Sequence, residues 1–261
     1  MKFSIITATY NSERFLEQTI QSVLSQSYPN IEYIIIDGNS SDNTLSIINK
    51  YSDRIAYFIS EPDKNMYDAI NKGMKVATGD YISILNSDDY YTEKNVIQNV
   101  AAQINKLQQQ NLAGVYGNLI KVSQDGTIIR KRRVFQVSFM ELLLSKQLTM
   151  VGHASLFIHK KCLDHIGFYD SERFNYAADY DYILRCFAQY RFQYIDVDIF
   201  NFRQHPSSIT SSGKIKNEQE AILKKNGYYK YKYFTRLLSY YYIWAKFIAM
   251  NTINLLNWYK N

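Results

Sequence analysis

The first 85 residues alternate short apolar runs with amphipathic stretches, and no other feature of the chain restricts its fold as strongly. Strand-like runs at Phe3 to Thr9, Glu32 to Asp37, Ile55 to Ser60 and Tyr81 to Leu85 are separated by helix-period segments at about 12 to 26, 42 to 51 and 66 to 77. A βαβαβαβ order predicts a parallel sheet with helices on both faces. It also gathers the loops that follow the strands on one edge, where open α/β sheets bind ligands. Those loops are Thr9-Tyr10-Asn11, Asp37 to Asp42, Glu61 to Lys64 and Asn86 to Asp89. Asp88 and Asp89 repel each other unless a hard cation such as Mg²⁺ or Mn²⁺ lies between them and a ligand phosphate. An acidic cap on a helix starting near Thr92 is the other reading of the pair.

A polar helix is expected at about 93 to 110, after which the pattern changes. Runs at 113 to 122 and 127 to 135 flank Ser123-Gln-Asp-Gly126, whose Asp-Gly signals a hairpin. A helix near 138 to 145, a strand at 150 to 158, a helix at 179 to 189 and a strand at 192 to 199 complete a mixed, partly antiparallel second half. With no repeat and no low-complexity linker, residues 1–212 read as one α/β domain.

Residues 213–261 differ in kind. They carry nine basic residues against Glu218 and Glu220, a net charge of +7 that leaves −1 for the remainder. The basic balance therefore belongs to the tail, and nucleic-acid binding would need a basic face on the domain itself together with a recognition module. Both tryptophans, Trp244 and Trp258, lie in the tail, and Lys246 interrupts its apolar run. No uncharged stretch nears the roughly 20 residues of a membrane-spanning helix. Aromatic rings with cations suit an interfacial helix on anionic lipid; a helix packed on the domain or forming a homodimer contact is the alternative. Cys162 and Cys186 are too few and too far apart for a disulfide framework or zinc site, and the opening apolar run is shorter than a secretory core. The expected location is the cytoplasm, peripheral on the inner face of the cell membrane.

Five segments stand in order: Ser4-Ile-Ile-Thr-Ala-Thr-Tyr-Asn11, Ile36-Asp-Gly-Asn-Ser-Ser-Asp-Asn-Thr44, Ser60-Glu-Pro-Asp-Lys-Asn-Met-Tyr-Asp-Ala-Ile-Asn-Lys-Gly73, Ala77-Thr-Gly-Asp80 and Leu85-Asn-Ser-Asp-Asp89. Together they resemble glycosyltransferase family 2, the inverting GT-A enzymes that use nucleotide-sugar donors, and most resemble bacterial members that build capsule, lipopolysaccharide or exopolysaccharide. The resemblance covers roughly residues 1 to 210. It implies a nucleotide-binding half at 1–112 and an acceptor half at 113–212, with a glycan or lipid-linked sugar as acceptor. It implies donor contacts from Thr7, Thr9, Tyr10, Asn11, Asp37, Asp63, Lys64, Asn71 and Asp88, with Tyr10 stacking on a base and Asp37 accepting the N3 proton of uracil. Mn²⁺ or Mg²⁺ is expected on Asp88 and Asp89, with His205 as a further ligand. Asn86 stands where the family's first metal-site acid is usual, and weaker metal affinity follows.

The resemblance also places the catalytic base just before a helix, where Ala178-Asp179 lacks the first acid of the usual pair. Asp179 is the expected base and Asp181 the fallback, with His153 lining the acceptor cleft. The implied reaction is one in-line displacement at the anomeric carbon. A sugar-1-phosphate nucleotidyltransferase would open with a glycine-rich basic loop, and a dehydrogenase with G-x-G-x-x-G; the first loop here has neither. A non-catalytic, membrane-associated binding subunit is the rival of another class.

Overall fold

The computed structural model describes residues 1–107, 112–145, 151–206 and 214–258. The first half runs β1 (Phe3–Thr9), α1 (Leu16–Leu24), β2 (Ile31–Asp37), α2 (Thr44–Asn49), β3 (Tyr57–Ser60), α3 (Met66–Val76) and β4 (Tyr81–Ile84). Then follow β5 (Tyr90–Tyr91), α4 (Val96–Leu107), β6 (Gly114–Val122), β7 (Ile128–Arg132), α5 (Phe139–Ser145) and β8 (Leu156–His159). The chain continues through α6 (Leu163–Ile166), α7 (Ala178–Gln189), β9 (Phe192–Arg203), α8 (Ile215–Lys225) and α9 (Tyr233–Trp258).

Among the described residues the strands form one sheet in the order β3-β2-β1-β4-β8-β6-β9-β5, with β7 paired to β6. β1 to β4 pair in parallel, as the alternating pattern predicts. β1 and β2 and most of β4 are buried on both faces and alternate between two cores, while the edge strand β3 exposes Tyr57 and Phe58. Ile34 and Ile36 face the layer containing α3, while Tyr33 and Ile35 face Leu16 and Ile20 of α1. α3 starts where the Asn65 side chain accepts from the N–H groups of Tyr67 and Asp68. It packs close to β1 at Gly73, where a Cβ would lie 2.5 Å from Ile6 Cγ2.

The mixed second half comes from β8, antiparallel to both β4 and β6, while β9 runs parallel to β6. The expected hairpin forms between β6 and β7, with Gly126 in the turn at φ 91°. Three elements differ from expectation. Residues 146–150, where a strand was expected to begin, lie outside the described residues, and His153–Ser155 make a 3-10 turn before β8. β9 continues to Arg203 because β6 remains alongside it, through Val122↔Arg203. β5 is a two-residue strand that closes on the end of β9, too short to carry a period.

Away from the ligand edge, Glu32 ties the start of β1 to the turn before β4. Burial alone would raise this carboxyl, but hydrogen bonds from Lys2, Ser4 and Thr78 hold it at about 2. The tail helix α9 lies against α5: Ile243 is buried, and Lys246 Nζ sits 3.0 Å from Glu141 Oε1. The cation that interrupts the apolar run thus pairs with the domain. Tyr240, Tyr241, Trp244 and Ile248 remain exposed. No described helix is long and apolar enough to cross a membrane.

Candidate active site

The loops after β1, β2 and β3 meet as expected, but they divide the polar groups differently from the sequence reading. The Asp37 carboxylate is fully buried and accepts from Ser40 N, Ser40 Oγ and Ser60 Oγ, so it shapes its own loop instead of facing a ligand. Thr7 is equally internal: its hydroxyl donates to Leu85 O at 2.8 Å and accepts from Tyr33. Asn71 spends its amide on the backbone of Tyr169, donating at 2.8 Å and accepting at 2.9 Å. Asn11, at φ 46°, joins the first loop to the second through Ser40 and Ser41. Lys64 reaches across to Glu172.

What remains facing the cleft is a smaller set. Tyr10 is 63% exposed. A Cβ on Gly38 would lie 3.3 Å from the Tyr10 ring and 3.4 Å from Asp63 Oδ2, so the glycine leaves the space between ring and carboxylate open. The Asp63 side chain is only 6% exposed, with Lys72 Nζ 2.6 Å from Oδ1. Burial raises its pKa despite that cation, and Oδ2 has no hydrogen-bond partner among the described residues. The buried Thr9 hydroxyl is likewise unpartnered there. Tyr10 and Asp63 thus flank Gly38, and the Asp63 oxygen and the Thr9 hydroxyl are buried polar groups that call for a partner.

At the end of β4 the two adjacent carboxylates part company. Asp88 Oδ2 lies 2.8 Å from His205 Nε2. Asp89 points the other way and is fully buried, with Oδ1 accepting from Arg203 N at 2.9 Å and Oδ2 from Asn86 Nδ2 at 2.9 Å. Burial, reinforced by the Asp88 charge, raises the Asp89 pKa well above the carboxylate range. The structure therefore does not bring Asp89 to a cation site with Asp88. Arg203 fastens the loop further by donating to Asp88 O at 2.9 Å, with its guanidinium 4.6 Å from the Phe15 ring centre.

Asn86 faces across the site. Its Oδ1 is 3.1 Å from His153 Nε2, and because its amide nitrogen serves Asp89, that imidazole nitrogen must donate. Burial lowers the His153 pKa, opposed by the charges of the Asp179 and Asp88 carboxylates. His153 is thus a buried donor to Asn86 whose ring feels both carboxylates. No group of three or more His, Cys, Asp and Glu side chains that could hold a metal occurs among the described residues. Asp88 and His205 fit a cation as two ligands of a shell completed by phosphate and water.

Asp179 sits in the first turn of α7, partly exposed, with Oδ1 accepting from Tyr67 OH at 3.0 Å. Burial and the Asp179 charge raise the Tyr67 pKa well above its usual value, which keeps the phenol a donor. Tyr67, Tyr169 and Tyr182 stack in sequence, 5.6 and 4.2 Å between ring centres. Asp181, the fallback base, is excluded from the cleft: it is fully buried between Arg185 Nε at 2.8 Å and Lys225 Nζ at 2.8 Å. Removing one partner from such a buried pair costs about 3–5 kcal/mol, so its role is to fix α7. Tyr67 stands inside the segment Ser60 to Gly73 and is recognisable afterwards as the partner of Asp179. Nothing in the sequence marked Arg203.

A doubly covered parallel sheet with polar loops on its carboxyl edge, an acid at the end of β4 and a second acid opening a late helix defines the GT-A class of sugar transferases. The chain belongs to glycosyltransferase family 2: the profile described as glycosyl transferase family 2 matches residues 4–167. It is 35% identical over 184 residues to an uncharacterized glycosyltransferase of Mycobacterium tuberculosis, covering 70% of this chain and 67% of the relative. It is 31% identical over 189 residues to a PGL/p-HBAD biosynthesis glycosyltransferase of Mycobacterium bovis, covering 71% and 70%. Among solved structures, S. aureus TarS in complex with UDP-GlcNAc superposes with a TM-score of 0.70 at 19% identity, over 87% of this chain and 66% of that one. The mannosyltransferase PcManGT from Pyrobaculum calidifontis, in complex with GDP-Man and Mn²⁺, gives 0.55 at 18%, over 78% and 56%. This chain thus spans at most two thirds of either solved chain, and these two likenesses are of fold.

Proposed function

We propose that this glycosyltransferase moves a sugar from a uridine nucleotide-sugar, with inversion, to a hydroxyl of a glycan or lipid-linked acceptor in the assembly of a bacterial surface glycan. The observation that carries the reading is that Asp88, beside His205 after β4, and Asp179, held by Tyr67 in the first turn of α7, both act by their charge on the one buried His153. A nucleoside diphosphate suits the Asp88 and His205 end and an acceptor hydroxyl the Asp179 end. Asp179 is the base that takes the hydroxyl proton, and His153 with Asn86 holds the acidic loop in place. When bound on Asp88 and His205, Mn²⁺ or Mg²⁺ neutralises charge on the departing diphosphate.

Asp63, with Tyr10 and Thr9, takes over the base-reading role that the sequence assigned to Asp37. A carboxylate oxygen accepts an N–H, which uracil and guanine present on that edge and cytosine does not. Hydrogen bonds to charged groups are worth about 1.5–3 kcal/mol. Asp63→Asn is therefore expected to weaken UDP binding at least about tenfold and to narrow the gap to CDP. Calorimetry with UDP, GDP and CDP in the presence of Mn²⁺ checks this. A wild-type preference for CDP, or an unchanged preference in the variant, sinks the assignment. Turnover of a UDP-sugar panel separates an enzyme from a binding subunit.

The exposed aromatic face of α9, on a tail of net charge +7, suits anionic lipid at the cytoplasmic face of the membrane. The folded unit then extends through α8, and α9 is docked by one face on α5. Trp244→Ala with Tyr241→Ala is expected to cut sedimentation with phosphatidylglycerol vesicles severalfold while leaving secondary structure intact. Unchanged sedimentation would reassign that face to a second copy of the chain.

A further inference from the structure

The turn that carries Asp179 is held by a residue outside the site. α7 begins without a side-chain cap of its own, at Ala177 with φ −138° and ψ 21°. The three residues that lead into it are held instead by Glu218 of α8: Oε1 accepts from Asn175 N, and Oε2 from Tyr176 N and Ala177 N, all at 2.8 Å. A carboxylate bonded to three successive amides just ahead of a helix makes charge-assisted hydrogen bonds and lies where the helix dipole favours negative charge.

The rest of α8 grips the residues just beyond. Lys225 pairs with Asp181, and Asn226 Nδ2 reaches the same carboxylate at 3.4 Å. Lys214 lies 5.1 Å from the Tyr176 ring centre and donates to its hydroxyl at 3.3 Å. Ile222 and Leu223 of α8 are buried. The backbone before Asp179 and the Asp181 side chain after it are therefore both held from α8, while the Asp179 side chain is bonded by Tyr67 from α3.

We propose that Glu218 is a positioning residue for sugar transfer, fixing the turn from which Asp179 reaches the acceptor hydroxyl. This rests on Asp179 being the base. A displacement of about 1 Å at a reacting group costs on the order of 10²-fold in rate. In the full-length chain, Glu218→Gln is isosteric but can no longer offer two charged acceptors to three amides. Its kcat is expected to fall about 10- to 100-fold, with UDP affinity unchanged within about twofold. Glu218→Asp, which keeps the charge, should fall between it and wild type; if Glu218→Ala does not fold, these two variants carry the test.

Two readouts separate positioning from general stability. Amide exchange at residues 175–177 should accelerate in Glu218→Gln, and the substitution should add less than about twofold in an Asp179→Asn background. A fully additive loss there, a parallel loss of UDP binding, or wild-type kcat with accelerated exchange would overturn the proposal. An Asp179→Asn enzyme with wild-type activity would be a failure of the base assignment instead, and exchange at residues 175–177 would still report whether Glu218 holds the turn.

Discussion

An Asp179→Asn enzyme is expected to bind UDP with wild-type affinity and to transfer sugar roughly 10²- to 10⁴-fold more slowly, the range over which general-base help operates. The substitution keeps the shape of the side chain and an oxygen for the Tyr67 hydroxyl, which donates to Asp179 Oδ1 at 3.0 Å. What it removes is the ability to take a proton. Donor binding is spared because the groups proposed to hold the nucleotide, Tyr10, Asp63 and Asp88, come from loops after β1, β3 and β4, whereas Asp179 opens α7. Parallel measurement of UDP affinity and initial transfer rate decides the matter. A variant with full activity would move the base elsewhere, and not to Asp181, whose carboxylate is buried between Arg185 and Lys225. A variant that fails to bind donor would place Asp179 on the nucleotide side of the cleft.

The frame of this site is legible in the chain because buried parallel strands leave long β-rich runs and fixed punctuation. β1, β2 and β4 fall within a residue or so of the predicted runs, and the loops converge because βαβ crossovers have one hand. The direction of a polar side chain is not legible in the same way. Asp37, Thr7, Asn71 and Asp89 occupy ligand-like positions in the sequence, yet each has its hydrogen bonds filled by the fold. Their partners, Ser60, Leu85, Tyr169 and Arg203, lie from 23 to 114 residues away, as the bonds Ser60 to Asp37 and Arg203 to Asp89 show at the two extremes. The proposed transfer of the base-reading role from Asp37 to Asp63 has that reason. Only tertiary contacts reveal that Ser40 and Ser60 satisfy one carboxylate while the other keeps an open oxygen beside Gly38. Glu218 is the extreme case, since in sequence it is one acid in a Lys-rich helix with an ordinary solvated-face pattern.

Asp88 and Asp89 should fail in opposite ways when truncated. Asp88→Ala removes a partly exposed carboxylate whose recorded side-chain partner is His205, so the melting temperature should move by no more than about 2 °C. Transfer should fall on the order of 10²- to 10³-fold, as when one electrostatic support of a transition state is removed, and stimulation by Mn²⁺ should be lost. Asp89→Ala leaves the buried N–H of Arg203 and the Asn86 amide without acceptors, at about 1–3 kcal/mol for each orphaned donor. It also removes one of the two ties between the end of β9 and the β4 loop, the bond from Arg203 N to Asp89 Oδ1, and leaves that from Arg203 Nε to Asp88 O. A combined loss of about 2–5 kcal/mol corresponds to a drop of roughly 5–15 °C in a domain of this size, and its residual activity at low temperature should remain Mn²⁺-dependent. Thermal melts and Mn²⁺ titrations of both variants distinguish the roles. If Asp89→Ala melts like wild type but no longer responds to Mn²⁺, Asp89 is a ligand after all and turns outward when the donor binds.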